Sequence, residues 1–483
     1  MAPQSPRIDC LCAFAAVHHD QQTVHWEDGG EGMKDTSKAL GHEPIRRLVV
    51  RMSAPSIISL LVHALYNVVD AIFVGRGVGT LGIAGIGIAF PVFLLVIALG
   101  QLIGVGSSSV MSRALGRKDM KTAEETMGTA ICLVAVVGIL LAAVGTFFTS
   151  QLMRFGGATS DVLPYAVSYI RIILCGGGPF ILSFALSAIV RAQGDALRAT
   201  VPILVAALIN IALDPLFIFV FELGTAGAAW ATILAQGIGV LYLAWHIGRG
   251  KSVVRFHLRN LVLRVTHARE IISIGTSSFV RTISSSAALI VINRVLGIHG
   301  GDVDIAVFSI VNRLMSFARM PVFGIVDGLL PIFGFNYGAR KLDRVQSAVW
   351  QGLAFAGLLS GFFWVLFLSL PRTFLGMFSS DIALIEAGIS ALRWIALVIP
   401  LFAVQAIGGG FYQAIGRPRQ ALLISLLRGI ILIIPCILIL SQFFGSTGVW
   451  IAFAVTDVLS AAIVLPMVLI EFRRLGLRAV PKV

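Results

Sequence analysis

The sequence predicts an all-α polytopic membrane protein, with twelve transmembrane helices in two parallel-repeat six-helix bundles around a central cleft. Three observations predict it. The composition is too apolar for a water-covered core, twelve long apolar stretches alternate with loops that are basic at every second position, and the chain repeats itself, Gly106 and Gly116 of one half reappearing as Gly328 and Gly338 of the other.

Of 483 residues, 57% are hydrophobic and only 13% charged, 50 are glycine, and the mean hydropathy is +0.92. Too little polar surface exists to cover a soluble core, which leaves the bilayer as solvent. The net charge of +13 sits in short clusters between apolar runs, the pattern of cytoplasmic loops, so it is read as topology and not as a nucleic-acid surface. Five cysteines, Cys10, Cys12, Cys132, Cys175 and Cys436, form neither a disulfide framework nor a metal-ligand spacing. No cofactor is expected.

Residues 1–44 read as a poorly ordered N-terminal extension, with Met33 a second plausible start; Cys10, Cys12, His18, His19 and His25 match no known metal-site spacing. A span needs about 20 apolar residues. Such stretches fall near 53–75, 81–111, 125–149, 164–190, 200–221 and 226–248 in an N-terminal bundle, 45–248. A basic linker, 249–269, follows. The C-terminal bundle, 270–470, has stretches near 270–297, 303–336, 347–370, 385–415, 419–443 and 447–470, and a cytoplasmic tail, 471–483, ends the chain.

The loops test this count, because Lys and Arg gather on the cytoplasmic side. Arg46, Arg47 and Arg51 precede the first span, Arg113, Arg117, Lys118 and Lys121 follow the second, and Arg191 and Arg198 the fourth. Arg340, Lys341 and Arg344 follow the eighth, Arg417 and Arg419 the tenth, and Arg473, Arg474 and Arg478 the twelfth. The intervening loops carry few. Both termini are therefore expected in the cytoplasm of a cell with the chain multi-pass in its inner (plasma) membrane, as a monomer.

The halves repeat. Gly106 and Gly116 frame a segment answered by Gly328 and Gly338, and Gly194 is answered by Gly416 at the same offset; Gly224 is answered by Gly445, one position short of it. Six spans per half make the repeats parallel, related by an axis along the membrane normal, which creates a cleft suited to alternating access.

The chemistry starts from Asp70, at the end of the first apolar stretch. An intramembrane carboxylate costs on the order of 2.5 to 3.5 kcal/mol on insertion scales and is a functional hypothesis by default. The repeat gives an internal control: Ile292 answers to Asp70, and Pro435 and Cys436 stand where Asp214 would be answered, so the second half lacks both acids at these positions. Tyr66 lies one turn before Asp70 and Asn210 one turn before Asp214, each on the same helical face. Counting residues from the turn at Gly224 brings Thr232 to the depth of Asp214. Tyr66, Asp70, Asn210, Asp214 and Thr232 thus read as one polar cavity. Two carboxylates in a poorly solvated pocket cannot both stay ionised without a cation. The site can take H⁺, or Na⁺ through the oxygens of Asp70, Asn210, Asp214 and Thr232, and the sequence does not choose. The competing reading is a salt bridge to Arg171. Elsewhere, Arg281 and Asp327 reach similar depth and are expected to pair, as a structural ion pair or a second-bundle polar site. Pro55 can kink the helix that carries Asp70.

These residues resemble the multidrug and toxic compound extrusion (MATE) family over residues 45–470. The resemblance rests on Tyr66-Asn-Val-Val-Asp70-Ala-Ile-Phe-Val-Gly75, the Gly106–Gly116 segment, Arg191-Ala-Gln-Gly-Asp195, Asp214-Pro215 and Pro331-Ile-Phe-Gly-Phe-Asn-Tyr-Gly338. It implies a cation-coupled exporter of amphipathic, often cationic small molecules and no enzyme activity. In the DNA-damage-inducible F-type branch the residues matching Asp70, Asn210, Asp214 and Thr232, with a tyrosine at Tyr66, form a first-bundle cation site, and the first helix bends at the position of Pro55. Where another branch has a glutamate in span seven, this chain has Ser284-Ser285-Ser286, and Asp327 stands where an uncharged residue is common. The alternative function is a lipid-linked oligosaccharide flippase, for which Arg281, Arg313, Arg319 and Arg428 would supply a basic cavity. An intramembrane enzyme lacks a paired His, Cys or Ser constellation.

Overall fold

In a computed structural model the described residues are 34–250 and 252–478, all helix and connecting turns. The metal reading for Cys10, Cys12, His18, His19 and His25 lies outside them. The first half comprises α1 (Lys34–His42), α2 (Ile45–Gly77), α3 (Thr80–Gly116), α4 (Met120–Phe147), α5 (Thr149–Phe155), α6 (Leu163–Cys175), α7 (Gly177–Ala192), α8 (Ala196–Pro215) and α9 (Gly224–Gly248). The second comprises α10 (Val265–His299), α11 (Gly301–Gly338), α12 (Leu342–Ser369), α13 (Pro371–Gly376), α14 (Ile382–Ala396), α15 (Phe402–Ala414), α16 (Pro418–Leu426) and α17 (Ile433–Arg474).

Among the described residues ten helical stretches are long and apolar enough to span a bilayer, and α6 with α7, bent by 52°, make an eleventh. The bend falls at Gly176-Gly177-Gly178, where no side chain holds the helix. The twelfth comes from within the stretch from Pro418 to Arg474. Gly445 there has φ 58° and ψ −138°, a conformation that ends one span and starts the next. The expected twelve are all present.

The turns follow local chemistry. Gly194 and Gly416 both adopt positive φ, 89° and 75°, at equivalent turns. Asp195 then caps α8 by accepting from the Arg198 N–H at 3.1 Å, and Asp119 caps α4 by accepting from Thr122 at 3.0 Å. Spans five and eleven each contain a π-helical turn, Leu216–Val220 and Leu427–Leu432.

The halves interlock where the basic loops lie. The start of α2 (Ile45, Leu48, Val49, Met52) belongs to the core of the second half, and the start of α10 (Ala268, Ile271, Ile274) to that of the first. The repeated glycine segments pack on each other reciprocally: Gly116 lies against the Phe335 carbonyl and Gly338 against the Arg113 carbonyl, pairs related by the repeat register. This is the self-complementary contact a two-fold axis generates. A Cβ on Gly106 would collide with the Ile271 carbonyl and one on Gly275 with the Leu102 carbonyl, so helices α3 and α10 touch backbone to backbone. Arg113 Nη1 to Glu270 at 3.0 Å and Ser109 Oγ to the Gln413 carbonyl at 2.5 Å also cross between halves. These cross-half contacts join the starts of α2 and α10 to the ends of α3 and α11, next to the basic loops.

Two segments differ from expectation. The end of the N-terminal extension is ordered: α1 buries Leu40 and is held by Asn336 Nδ2 to the Leu40 carbonyl at 2.9 Å and Lys341 Nζ to the Gly41 carbonyl at 2.8 Å. The basic linker is pinned to the first half, with Ser252 Oγ donating to Gln193 at 2.6 Å and Arg264 paired to Glu125 at 3.2 Å, and α10 starts within it at Val265.

Candidate functional site

Helix α2 carries Tyr66 and Asp70 one turn apart, and α8 carries Asn210 and Asp214 likewise, so each helix presents one polar pair on one face. The two helices pack together. Asp70 is 7% exposed and Asp214 0%, and Tyr66, Asn210 and Thr232 are also buried. The two carboxyl groups are close enough to interact electrostatically, and among the described residues no hydrogen bond joins them. Asn210 Nδ2 donates to Asp214 Oδ1 at 3.3 Å. Asp214 is followed by Pro215 and the first π-helical turn, so the regular ladder ends where the acid sits.

All five residues of the expected cavity are therefore buried in the first half, and four come from the packed pair α2 and α8. Thr232 is buried on α9, and among the described residues no hydrogen bond joins it to the carboxyls. The Tyr66 hydroxyl, Asp70 Oδ1, Asn210 Oδ1 and Asp214 Oδ2 are buried oxygens with no hydrogen-bond partner among the described residues. Buried polar atoms are nearly always satisfied, and a cluster of unpartnered oxygens with two carboxylates has the chemistry to hold a proton or a hard monovalent cation. The salt-bridge alternative fails: Arg171 is exposed, and among the described residues no ion pair joins it to either acid.

Two residues escaped the sequence reading. Tyr169 of α6 is buried close enough to both carboxyls to interact with them electrostatically, and His63 packs edge-on against Tyr66 with ring centroids 4.8 Å apart. The available signal was the repeat: Ala391 answers to Tyr169, as Ala288 does to Tyr66.

The expected Arg281–Asp327 ion pair is corrected. Asp327 pairs across the halves with Arg191, Nη1 to Oδ2 3.6 Å, while Arg281 Nη2 donates to Gln101 Oε1 at 3.5 Å. Asp327 lies between Gly324 and Gly328, which touch α2, and Arg191 lies in the last turn of α7; Arg281 acts on Asp327 only at longer range. A second-half acid was also missed. Asp457 on α17, 2% exposed, accepts from Arg428 Nε at 2.6 Å. It lies off the repeat positions of Asp70 and Asp214, so the repeat does not point to it.

Pro55 sits inside α2, which runs as one continuous helix from Ile45 to Gly77. Its missing N–H leaves the Arg51 carbonyl without its helical partner, and Ser56 Oγ donates to the neighbouring Met52 carbonyl at 3.2 Å.

The MatE family matches residues 55–216 and 277–439, one segment in each half. The chain belongs to this family. The MATE transporter resembles the multidrug export protein MepA of Staphylococcus aureus (strain MRSA252), 26% identical over 406 residues, covering 84% of this chain and 89% of that one. An outward-facing structure of a multidrug resistance MATE transporter of the MOP superfamily superposes with a TM-score of 0.87 at 25% identity, over 93% of this chain and 100% of that one. A MATE structure in a bent conformation superposes equally, TM-score 0.87 at 25% identity, over 92% of this chain and 98% of that one.

Proposed function

We propose that this MATE-family protein is a secondary active antiporter that exports amphipathic or cationic small molecules in exchange for H⁺ or Na⁺. The observation that carries the reading is the facing pair Asp70 and Asp214, buried in the first half with no cationic side chain among the described residues to neutralise it. The similarity to the multidrug export protein MepA and to a multidrug resistance MATE transporter supports export of small molecules.

The basic loops mark the cytoplasmic side by the positive-inside rule, so the end where the halves close is the inner end and the cleft opens outward. In this state a cation enters the Asp70–Asp214 site from outside and favours release of cargo. Return to the inward-facing state carries the cation in. The differential affinity of the two states for the ion sets how far it shifts their populations. The driving force suffices: at about 150 mV one inward charge supplies roughly 3.5 kcal/mol, a few hundredfold concentration ratio for a neutral cargo. For a monovalent cationic cargo exchanged against one proton the membrane potential cancels and the pH difference drives export.

D70N tests the reading in cells. Drug efflux is lost while the protein is still expressed in the membrane; efflux at the wild-type rate would overturn it.

A further inference from the structure

The second-half wall of the cleft carries a concentration of charge that cation coupling does not use. Arg281 on α10, Arg319 on α11 and Arg428 in the second π-helical turn surround two touching rings, Phe323 and Phe402, whose centroids are 5.4 Å apart in an edge-to-face arrangement. The Arg281 guanidinium lies 5.2 Å from the Phe323 centroid, and those of Arg319 and Arg428 lie 5.3 and 5.1 Å from the Phe402 centroid. Such contacts orient a guanidinium but do not neutralise it.

The carboxylates near this cluster are already engaged. Asp457 takes Arg428 at 2.6 Å, and Asp327 takes Arg191 at 3.6 Å while also facing Arg281. Among the described residues Arg319 makes no direct ion pair and its Nε is buried without a hydrogen bond, Asp457 acting on it only at longer range, and Arg281 donates to the Gln101 amide oxygen with Asp327 beyond it. Four guanidiniums therefore face two carboxylates, the reverse of the polarity around Asp70 and Asp214. Arg281, Arg319 and Arg428 remain partly accessible, and the Arg281 bond to Gln101 of α3 crosses from one half to the other. Arg281 thus stands at the boundary between the bundles, with Arg319 and Arg428 beside it across the Phe323–Phe402 pair. Cations in excess of carboxylates within a span are costly, and such residues are a functional-site hypothesis by default.

We propose that Arg319, with Arg428 and Arg281, forms an anion subsite that takes the carboxylate of an amphipathic aromatic cargo, whose ring system packs on Phe323 and Phe402. The planar guanidinium fork matches a carboxylate in a bidentate pair, and the two rings supply an apolar surface beside it. The subsite deepens the exporter reading and rests on the cleft being where cargo binds. It supplies a recognition element for the acid group of such a cargo.

The test is equilibrium binding to the purified full-length protein in nanodiscs, read by fluorescence anisotropy. The probes are rhodamine B, which carries a free carboxylate, and its ethyl ester, which does not. In R319Q the preference for the acid over the ester falls at least tenfold, and R319K, which keeps the charge but loses the fork, falls in between. D457N frees Arg428 and raises the preference severalfold, which keeps the proposal testable if R319Q does not fold. Excess benzoate displaces the acid. An acid-to-ester ratio unchanged by R319Q and D457N overturns the proposal, and so does displacement of the acid by inorganic pyrophosphate but not by benzoate, which would assign the cluster to a phosphate ligand. No ion gradient is present in this assay. Loss of the anion subsite would leave coupled antiport standing, and loss of coupled antiport would leave the binding ratio standing.

Discussion

Replacing Gly275 by valine perturbs the contact on which closure at the basic-loop end depends. Any Cβ at this position meets the Leu102 carbonyl, which is backbone and cannot rotate away. Forcing extra methyl groups into a packed contact costs about 1 to 3 kcal/mol. The cost falls on the closed arrangement alone, since separating α3 and α10 relieves it, so the population ratio of closed to open at this end shifts by about 5- to 150-fold. Double electron–electron resonance between spin labels on R117C and R419C, exposed positions in opposite halves near this end, reads the shift once the native cysteines are replaced. The unsubstituted protein gives a short distance, and G275V adds a longer component with slower transport. G237V, where an added Cβ meets nothing within 4 Å, leaves the distances unchanged. A short distance alone in G275V, with transport at the wild-type rate, would refute the reasoning.

Asn210→Leu removes the amide that donates to Asp214 and leaves that carboxyl with one fewer partner; at about 1 to 3 kcal/mol for an unsatisfied buried acceptor, the apparent ion affinity measured in proteoliposomes changes by about 5- to 150-fold. R191Q and D327N probe the cross-half ion pair: a double-mutant cycle on thermal unfolding gives a coupling of about 1 kcal/mol, because the Asp327 side chain is 36% exposed and solvent screens it. P55A restores a helical N–H donor to α2, raises the unfolding temperature and lowers transport; unchanged transport would show that α2 needs no weak point there.

The spans were legible because crossing a bilayer demands length and apolarity, and both are visible in sequence. The correspondence of Gly116 with Gly338 was legible from the repeat offset, whereas their reciprocal packing appears only in the fold, where equivalent segments meet on a two-fold axis. Tyr66, Asp70, Asn210 and Asp214 were legible as neighbours because helical spacing of four aligns each pair and buried charge is too costly to be scattered. What crosses between the halves was not. Arg191 meets Asp327 through the closing of two bundles, a geometry that no count of residues from a loop contains. Asp457 was hidden for a different reason: its partner Arg428 sits on the preceding span, and a repeat comparison anchored on first-half acids passes over both. Tyr169 carries no charge to raise attention, although it shares the lack of a repeat counterpart with Asp70.

The proposed coupling of ion flow to cargo movement through Asp70 and Asp214 is tested most directly by uptake of a fluorescent cationic dye into proteoliposomes. An imposed H⁺ or Na⁺ gradient drives the uptake, and wild type is compared with D70N and D214N. Wild type is expected to concentrate the dye against its gradient with one of the two ions, and each variant only to let it equilibrate. Concentrative uptake by D70N that still collapses when the ion gradient is dissipated would contradict the coupling role.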